Sequence, residues 1–238
     1  MNDKLEEWLR RNLNEDSRNV ESVSPPPQGN FNKHLHKPKH KFQQTPKDKR
    51  TFKKPQLKII PLGGLDEVGK NMTIFEYEED IVIVDMGFEF PSEDLLGIDY
   101  VIPDVSYLEK NKKRIKGVII THGHLDHIGG IPYLLPRLDF PPVYGTRLTI
   151  GLIEPKIKEF KLEKFAKLRV INPEEFIKLG KFLCSFFRVA HSIPDAVGIV
   201  LGTPAGKVVH TGDFKFDETP ARNVKKADIH KMEMLGHQ

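Results

Sequence analysis

The sequence lacks most features of a secreted or membrane protein. Cys184 is the only cysteine among its 238 residues. A single cysteine excludes an intrachain disulfide and a cysteine-based zinc site, and it favours a reducing compartment. No apolar run approaches the roughly 18 to 20 residues that cross a bilayer. Residues 1–11 are charged and contain no apolar signal-peptide core. We therefore expect a cytoplasmic protein without a membrane partner.

Residues 1–55 also have few apolar side chains, and they differ from the rest of the chain. From Ser24 to Pro55 the sequence is rich in Pro, Gln, Lys and His, and Asp48 is its one acid. Because little apolar surface offsets the entropy of ordering, we expect a disordered tail. Its cations would either attract the phosphate backbone of RNA or simply keep the chain soluble. These cations are Lys33, Lys37, Lys39, Lys41, Lys47, Lys49, Arg50, Lys53 and Lys54.

The remaining residues, 56–238, alternate between strand and helix patterns. Helices are predicted over Ile128–Leu135 and Thr146–Phe160, and Ala227–Gly236 is a further helix candidate. This alternation indicates a layered α/β domain. The predicted strands are Leu57–Leu62, Met72–Tyr77, Ile81–Asp85, Gly117–Thr121, Val143–Gly145, Leu168–Ile171, Phe182–Ala190, Ala196–Gly202 and Lys207–Thr211.

The segment Thr121–His127, with the sequence THGHLDH, carries the strongest chemical pattern. It follows a predicted buried strand and precedes a predicted helix. Imidazole and carboxylate groups suit zinc, or manganese where oxygen donors dominate. The spacing of His122 and His124 lets both rings face one point, and Asp126 and His127 can face a second. Four donors in so short a segment predict two metal ions close together.

Two metal ions need further donors, and the ends of other predicted strands supply them. His191 follows the strand Phe182–Ala190, and Asp213 follows Lys207–Thr211. The two carboxylate oxygens of Asp213 suit it to bridge both ions. Asp85 ends a strand and is expected to orient a histidine ligand through its second ring nitrogen. His210 lies inside a strand, and we interpret it as structural.

Such a pair of ions indicates hydrolysis by an activated water. Two divalent cations lower the pKa of a bridging water, so that hydroxide forms near neutral pH. Asp126 and His127 are the expected catalytic residues, and Asp126 would hold and orient the nucleophile. A serine or cysteine nucleophile is not required.

Together with His191 and Asp213, the HGHLDH motif resembles the metallo-β-lactamase superfamily. Four stretches narrow the resemblance to the ribonuclease J family, which belongs to the β-CASP nuclease group. The similar region runs from about Leu57 to Pro220. The four stretches are Pro61–Asn71, Phe90–Asp104, His191–Asp195 and His210–Asp217.

The resemblance implies an αββα sandwich with two zinc ions at the edge of its sheets. His122, His124 and His191 would hold one ion, Asp126 and His127 the other, and Asp213 would be shared. It also implies a calcium site that includes Gly97 and Asp99. The implied activity is endonucleolytic and 5′→3′ exonucleolytic cleavage of RNA, in RNA maturation and decay.

Ribonuclease J proteins are much longer than this chain. We therefore expect residues 56–238 to be the N-terminal part of an incomplete sandwich that lacks the β-CASP insertion and exposes apolar surface. The last histidine ligand of the second zinc, the phosphate-binding motif and the histidine that protonates the leaving group have no counterpart. We expect this polypeptide by itself to bind metal weakly and to show little nuclease activity. In the full-length form, the resemblance implies a homodimer or other RNA-decay proteins as partners.

Two alternative functions remain open at this point. A small-substrate hydrolase of the thioesterase or lactonase type uses the same metal ligands, and consumption of a thioester rather than RNA would identify it. A non-catalytic RNA-binding fragment would bind RNA unchanged after His122→Ala. The basic tail and the four stretches favour RNA as the substrate.

Overall fold

The computed structural model describes residues 55–93, 95–217, 219 and 226–237. Two sheets pack face to face in this part of the chain, and helices lie against their outer faces. The strands are β1 (Leu57–Gly63), β2 (Met72–Tyr77), β3 (Asp80–Val84), β4 (Ile115–Ile119), β5 (Val143–Gly145), β6 (Leu168–Val170), β7 (Ile177–Leu179), β8 (Phe182–Arg188), β9 (Val197–Thr203) and β10 (Gly206–His210). The helices are α1 (Ser106–Lys110), α2 (Leu125–Ile128), α3 (Ile131–Arg137), α4 (Arg147–Glu159) and α5 (Ile229–Gly236).

The first sheet is mixed and has the strand order β1-β2-β3-β4-β5-β6. Its first three strands pair antiparallel, and β3, β4, β5 and β6 pair parallel. In β3, the four residues from Ile81 to Val84 are all buried. Such continuous apolar runs are typical of strands that are covered on both faces.

The second sheet is antiparallel, with the order β10-β9-β8-β7. All seven residues of β9 are buried. A Cβ atom at Gly198 would lie 2.1 Å from the ring of Phe187 on β8, so the close contact of these two strands requires glycine there. Pro204 and Ala205 connect β9 to β10 in a two-residue hairpin loop.

Three apolar clusters define the layers of the domain. Side chains of both sheets form the central cluster, which includes Phe75 and Phe186. A second cluster lies between the first sheet and its helices, where Ile150, Ile153 and Ile157 of α4 recur at helical spacing and are buried. On the other side, α5 packs on the outer face of the second sheet through Met232 and Leu235. The predicted αββα sandwich is confirmed.

Several predicted boundaries are wrong. Residues Ile128–Leu135 were expected to form one helix, but α2 ends at Ile128 and α3 begins at Ile131. The break arises because the N–H of Gly130 donates to the carbonyl of Met86 at 2.9 Å, while the carbonyl of Asp126 accepts from the N–H of Asn71 at 3.0 Å, so this helical hydrogen bond is not made. The strand predicted over Gly117–Thr121 begins and ends two residues earlier. The short elements α1 and β7 were not predicted.

Two expectations fall wholly or partly outside the described residues. The tail predicted over residues 1–55, with its lysines and Arg50, lies outside them apart from Pro55. The domain predicted over 56–238 is described except at Asp94, Glu218, residues 220–225 and Gln238. Among the described residues, no helix has the length and apolar character that a membrane span needs.

Candidate metal centre

The candidate site lies at one edge of the sandwich, where strands of both sheets end. β3 and β4 run parallel, so the residues that follow them, Asp85 and Thr121, lie side by side. β8 and β10 also share a direction, because both are antiparallel to β9, and they lead to His191 and Asp213. The backbone N–H of Val197 at the start of β9 donates to the carbonyl of Thr121 at 3.0 Å. The topology thus joins loops from both sheets at one place.

Three histidine rings form the first of two groups of converging donors, and we call this group the first set. Nε2 of His122 lies 3.0 Å from Nδ1 of His124, and Nε2 of His191 lies 3.2 Å from the same atom. His122 is fully buried, and the other two rings are partly exposed. Zinc–nitrogen bonds of about 2.0–2.1 Å place tetrahedral ligands about 3.3 Å apart. The three nitrogens therefore have the spacing that a shared cation requires.

The second set consists of Asp126, His127 and Asp213. Nε2 of His127 lies 3.3 Å from Oδ2 of Asp126 and 3.5 Å from Oδ2 of Asp213. The same Asp213 oxygen lies 3.7 Å from Nε2 of His191, so this carboxylate reaches both sets. Donor atoms of His122, His127 and Asp213 also lie within 4.8 Å of one another. The two sets are therefore adjacent, with Asp213 between them.

Electrostatics differ between the two sets. Burial, and next the charge of His127, lower the pKa of His122 to about 4, so its ring is neutral at pH 7. Burial alone would also lower the pKa of His127, but Asp85, Asp126 and Asp213 outweigh it and raise this pKa to about 12. The hydrogen bond with His127 contributes most to lowering the pKa of Asp213 to about 2. The second set is thus a strongly negative environment that favours a cation.

Asp85 lies behind the second set and contacts the far side of His127. Its Oδ2 is 2.8 Å from Nδ1 of His127, which leaves Nε2 of that ring facing the second set. Thr121 donates to Asp85 through its backbone N–H at 2.8 Å and its hydroxyl at 2.9 Å. Asp85 is buried and has a left-handed φ of 63°, which few non-glycine residues adopt. This geometry would let Asp85 orient the ring of His127, and the orienting role stays a prediction.

Thr121 extends the same network to the first set. Its Oγ1 lies 3.0 Å from Nδ1 of His122, the ring nitrogen that faces away from His124. One buried carboxylate, Asp85, therefore contacts one histidine directly and a second through a hydroxyl. This link was not predicted from the sequence.

His210 lies beside the site but outside both sets. Its Nδ1 accepts a hydrogen bond from the backbone N–H of Gly212 at 3.2 Å, and its ring packs edge-on against Phe75. A cavity of about 240 Å³ adjoins the second set, and His210 lines it together with His127 and Asp213. The contacts of His210 are those of a structural residue that shapes the loop.

Sequence reasoning missed Asn71 as a residue of the site. Its Nδ2 donates to Oδ2 of Asp126 at 3.1 Å and lies 3.2 Å from Nε2 of His127. The segment Pro61–Asn71 was noted only for its family resemblance. A polar amide directly before the apolar strand Met72–Tyr77, at the edge that carries the histidines, was the available signal.

The residues of the implied calcium site lie elsewhere. Gly97 has a positive φ of 80° within an exposed turn, and Asp99 is exposed in the same loop. Among the described residues, Asp99 belongs to neither group of converging metal-type donors. The calcium site stays a prediction.

The four-layer fold and the paired donor sets together define a class of protein. Residues 65–235 match the family model of the metallo-β-lactamase superfamily. The chain belongs to this superfamily.

Comparison with curated proteins gives a narrower similarity. The chain is 47% identical to ribonuclease J from Synechocystis sp. over 165 residues, which cover 69% of the chain and 26% of that protein. It is 46% identical to ribonuclease J 1 from Streptococcus pyogenes over 188 residues, covering 79% of the chain and 33% of the relative. The resemblance to the ribonuclease J family is confirmed. The chain spans about a quarter to a third of the length of these relatives.

Solved structures support the fold alone. The metallo-β-lactamase fold protein YhfI from Bacillus subtilis matches with a TM-score of 0.50 and 19% identity, covering 70% of this chain and 66% of that one. Unliganded yeast PDE1 also has a TM-score of 0.50, with 16% identity and coverage of 70% and 67%.

Proposed function

We propose that this chain carries the metal-binding part of a zinc-dependent ribonuclease that cleaves RNA phosphodiesters. The observation that carries the proposal is the convergence of the first set and the second set on Asp213, in a chain similar to ribonucleases J. His122, His124 and His191 would hold one cation, Asp126 and His127 the other, and Asp213 both. Imidazole-rich ligands favour zinc, and the carboxylates of the second set also suit manganese.

The side chains of the site would have different roles in hydrolysis. Two divalent cations bound here would lower the pKa of a water between them and offset negative charge on the phosphate. Asp126 is partly exposed and has one oxygen fixed by Asn71, so its carboxylate can accept a hydrogen bond from the attacking water. His127 would hold its Nε2 toward the second cation, because Asp85 fixes Nδ1.

The finer parts of the proposal rest on the similarity and the composition. Endonucleolytic and 5′→3′ exonucleolytic cleavage in RNA maturation and decay come from the resemblance, as do the calcium site at Gly97 and Asp99 and a homodimeric full-length form. The basic tail over residues 1–55 would hold RNA through counterion release, and the compartment would be the cytoplasm.

Metal content and RNA cleavage test this proposal together. We expect the chain to bind two equivalents of Zn²⁺ or Mn²⁺ at saturation in equilibrium dialysis, and His122→Ala to lose at least one. His230→Ala is the matched control, because this histidine is exposed and pairs only with Glu233 among the contacts described.

Any cleavage of a 5′-monophosphorylated RNA should disappear with a chelator and in His122→Ala, and persist in His230→Ala. Cleavage that survives both the chelator and His122→Ala would refute the proposed mechanism. Hydrolysis of a glutathione thioester in preference to RNA would instead identify the small-substrate hydrolase.

A further inference from the structure

Asn71 lies where three segments of the chain meet at the second set. Its side-chain amide donates to Asp126 at 3.1 Å, and its backbone N–H donates to the carbonyl of Asp126 at 3.0 Å. Its own carbonyl accepts from the N–H of Gly87 at 3.0 Å. Asn71 is thereby fixed by its main chain to the residue that its side chain contacts. The amide has little freedom to leave Asp126.

Two glycines make this close approach possible. A Cβ atom on Gly87 would lie 1.5 Å from the carbonyl oxygen of Asp126 and 2.8 Å from the backbone nitrogen of Asn71. Gly64 has a φ of 84°, and a Cβ atom there would lie 2.4 Å from Oδ1 of Asn71. Real Cβ atoms do not approach so closely, so both positions require glycine. The loops before β2 and after β3 are therefore shaped around the Asn71–Asp126 contact.

The charge around Asn71 explains why a neutral donor suits this position. The neighbouring Lys70 is paired with Glu67 at 3.0 Å and with Glu89 at 2.9 Å. A cationic side chain in place of Asn71 would hold Asp126 but would repel a metal ion at the second set. An amide donates to the carboxylate without adding charge.

We propose that Asn71 is a positioning residue of the second set, whose amide fixes the Asp126 carboxylate so that Asp126 and His127 face the same cation. This inference rests on the proposed function, since it assumes a cation at the second set. Asn71 would act through Asp126 rather than as a metal ligand. Fixing the ligand beforehand removes part of the ordering cost of binding, so the amide should raise affinity for the second cation.

Stepwise metal affinity of the purified chain tests this role. Mn²⁺ and Zn²⁺ would be titrated separately against a competing chelator, with His191→Ala and Asp126→Ala used to assign the two steps to the two sets. We expect Asn71→Ala to weaken the second-set step about 10- to 100-fold, as removal of a group that orients a ligand does. The first-set step should not change. The matched control is Asn172→Ala, because this exposed amide bonds only Glu175 and Glu174 among the contacts described.

Asn71→Asp separates positioning from ligation. Aspartate cannot donate to Asp126, so we expect it to bind the second cation no better than Asn71→Ala does. Tighter binding than wild type would make residue 71 a ligand and overturn the inference. Unchanged binding in Asn71→Ala would also overturn it, as would equal weakening of both steps with a lowered melting temperature. If the wild-type chain bound no cation at all, the proposed function itself would fail.

Discussion

Two carboxylates are buried at opposite ends of the first sheet, and their partners differ. Glu76 lies near the end of β2 and Asp85 directly after β3, with side chains 5% and 3% exposed. Because β2 and β3 are antiparallel, Asp85 is at the edge that carries the histidines and Glu76 is at the other edge. Both carboxylates have a lowered pKa despite burial, because hydrogen bonds and nearby cationic groups stabilise the charged form.

The charge of Glu76 is neutralised by side chains that are not part of the metal centre. Its oxygens accept from Lys58 at 2.7 Å and from Arg114 at 3.1 Å, and the Tyr107 hydroxyl also donates to it. Ammonium and guanidinium groups are donors only, so they cannot ligate a metal ion. The negative charge of Glu76 therefore stabilises the fold and has no link to a metal ion.

Asp85 instead contacts an imidazole, which has a second nitrogen. Nδ1 of His127 faces Asp85 while Nε2 faces Asp126 and Asp213. The charge of Asp85 therefore favours a cation on the opposite side of the ring. The partner of a buried carboxylate, rather than its burial, therefore distinguishes a structural role from a functional one.

The largest predicted effect that distinguishes Glu76 from Asp85 is the loss of stability in Glu76→Gln. We expect the free energy of unfolding to fall by about 2 kcal/mol at pH 7, because the buried side chain at this position loses charge-assisted hydrogen bonds to the partly exposed Arg114 and Lys58. Metal affinity should not change. Urea unfolding measures the loss, and Glu79→Gln is the control, because Glu79 also pairs with Arg114 but is 88% exposed.

Acidification should remove the difference between wild type and Glu76→Gln. The pKa of Glu76 is lowered in the folded protein, so its contribution is complete above the unfolded pKa of about 4.3. It is lost as the pH falls through the lower folded pKa. An unfolding difference that persisted undiminished in strong acid would show that packing, rather than charge, makes Glu76 structural.

A smaller effect, confined to the metal centre, is expected from Asp85→Asn. An asparagine amide that donates to Nδ1 of His127 would leave the proton on Nε2, the atom required for the second cation. We expect second-set affinity for Zn²⁺ to fall about 10- to 100-fold. Competition dialysis measures it, with Asp139→Asn as control, since that carboxylate is exposed and pairs with Lys112. If Asp85→Asn bound Zn²⁺ at the second set as tightly as the wild type, Asp85 would have no functional role that Glu76 lacks.

Much of this fold could be predicted, because its strands are long apolar runs. The boundaries of β2 agree with prediction, and β1, β8 and β9 differ by one or two residues. The elements α1 and β7 have five and three residues, too few for a period to be recognised. The break between α2 and α3 depends on backbone hydrogen bonds from Gly130 to Met86 and from Asn71 to Asp126, which are tertiary contacts.

The residues that converge at the candidate site could be predicted from the sequence, and so could Asp85, but most of their other hydrogen-bond partners could not. His122, His124 and His127 can be recognised because they lie close together in one segment. His191 and Asp213 can be recognised because each follows a predicted strand. Asn71 and Glu76 gave no comparable signal, because their importance depends on partners distant in sequence. Glu76 also lies in an apolar strand, and the pattern of that strand does not predict that Arg114 is its partner.

The smallest predicted effect concerns Thr121, through which Asp85 reaches the first set. Thr121→Val keeps the shape but removes the hydroxyl, leaving Nδ1 of His122 without its contact at 3.0 Å. Losing one hydrogen bond of about 1 kcal/mol should weaken the first-set step roughly fivefold. Thr121→Ser retains the hydroxyl and should restore wild-type affinity. Equal first-set affinity in both variants would limit the influence of Asp85 to His127, whereas a loss confined to Thr121→Val would show that one buried carboxylate orients ligands of both cations.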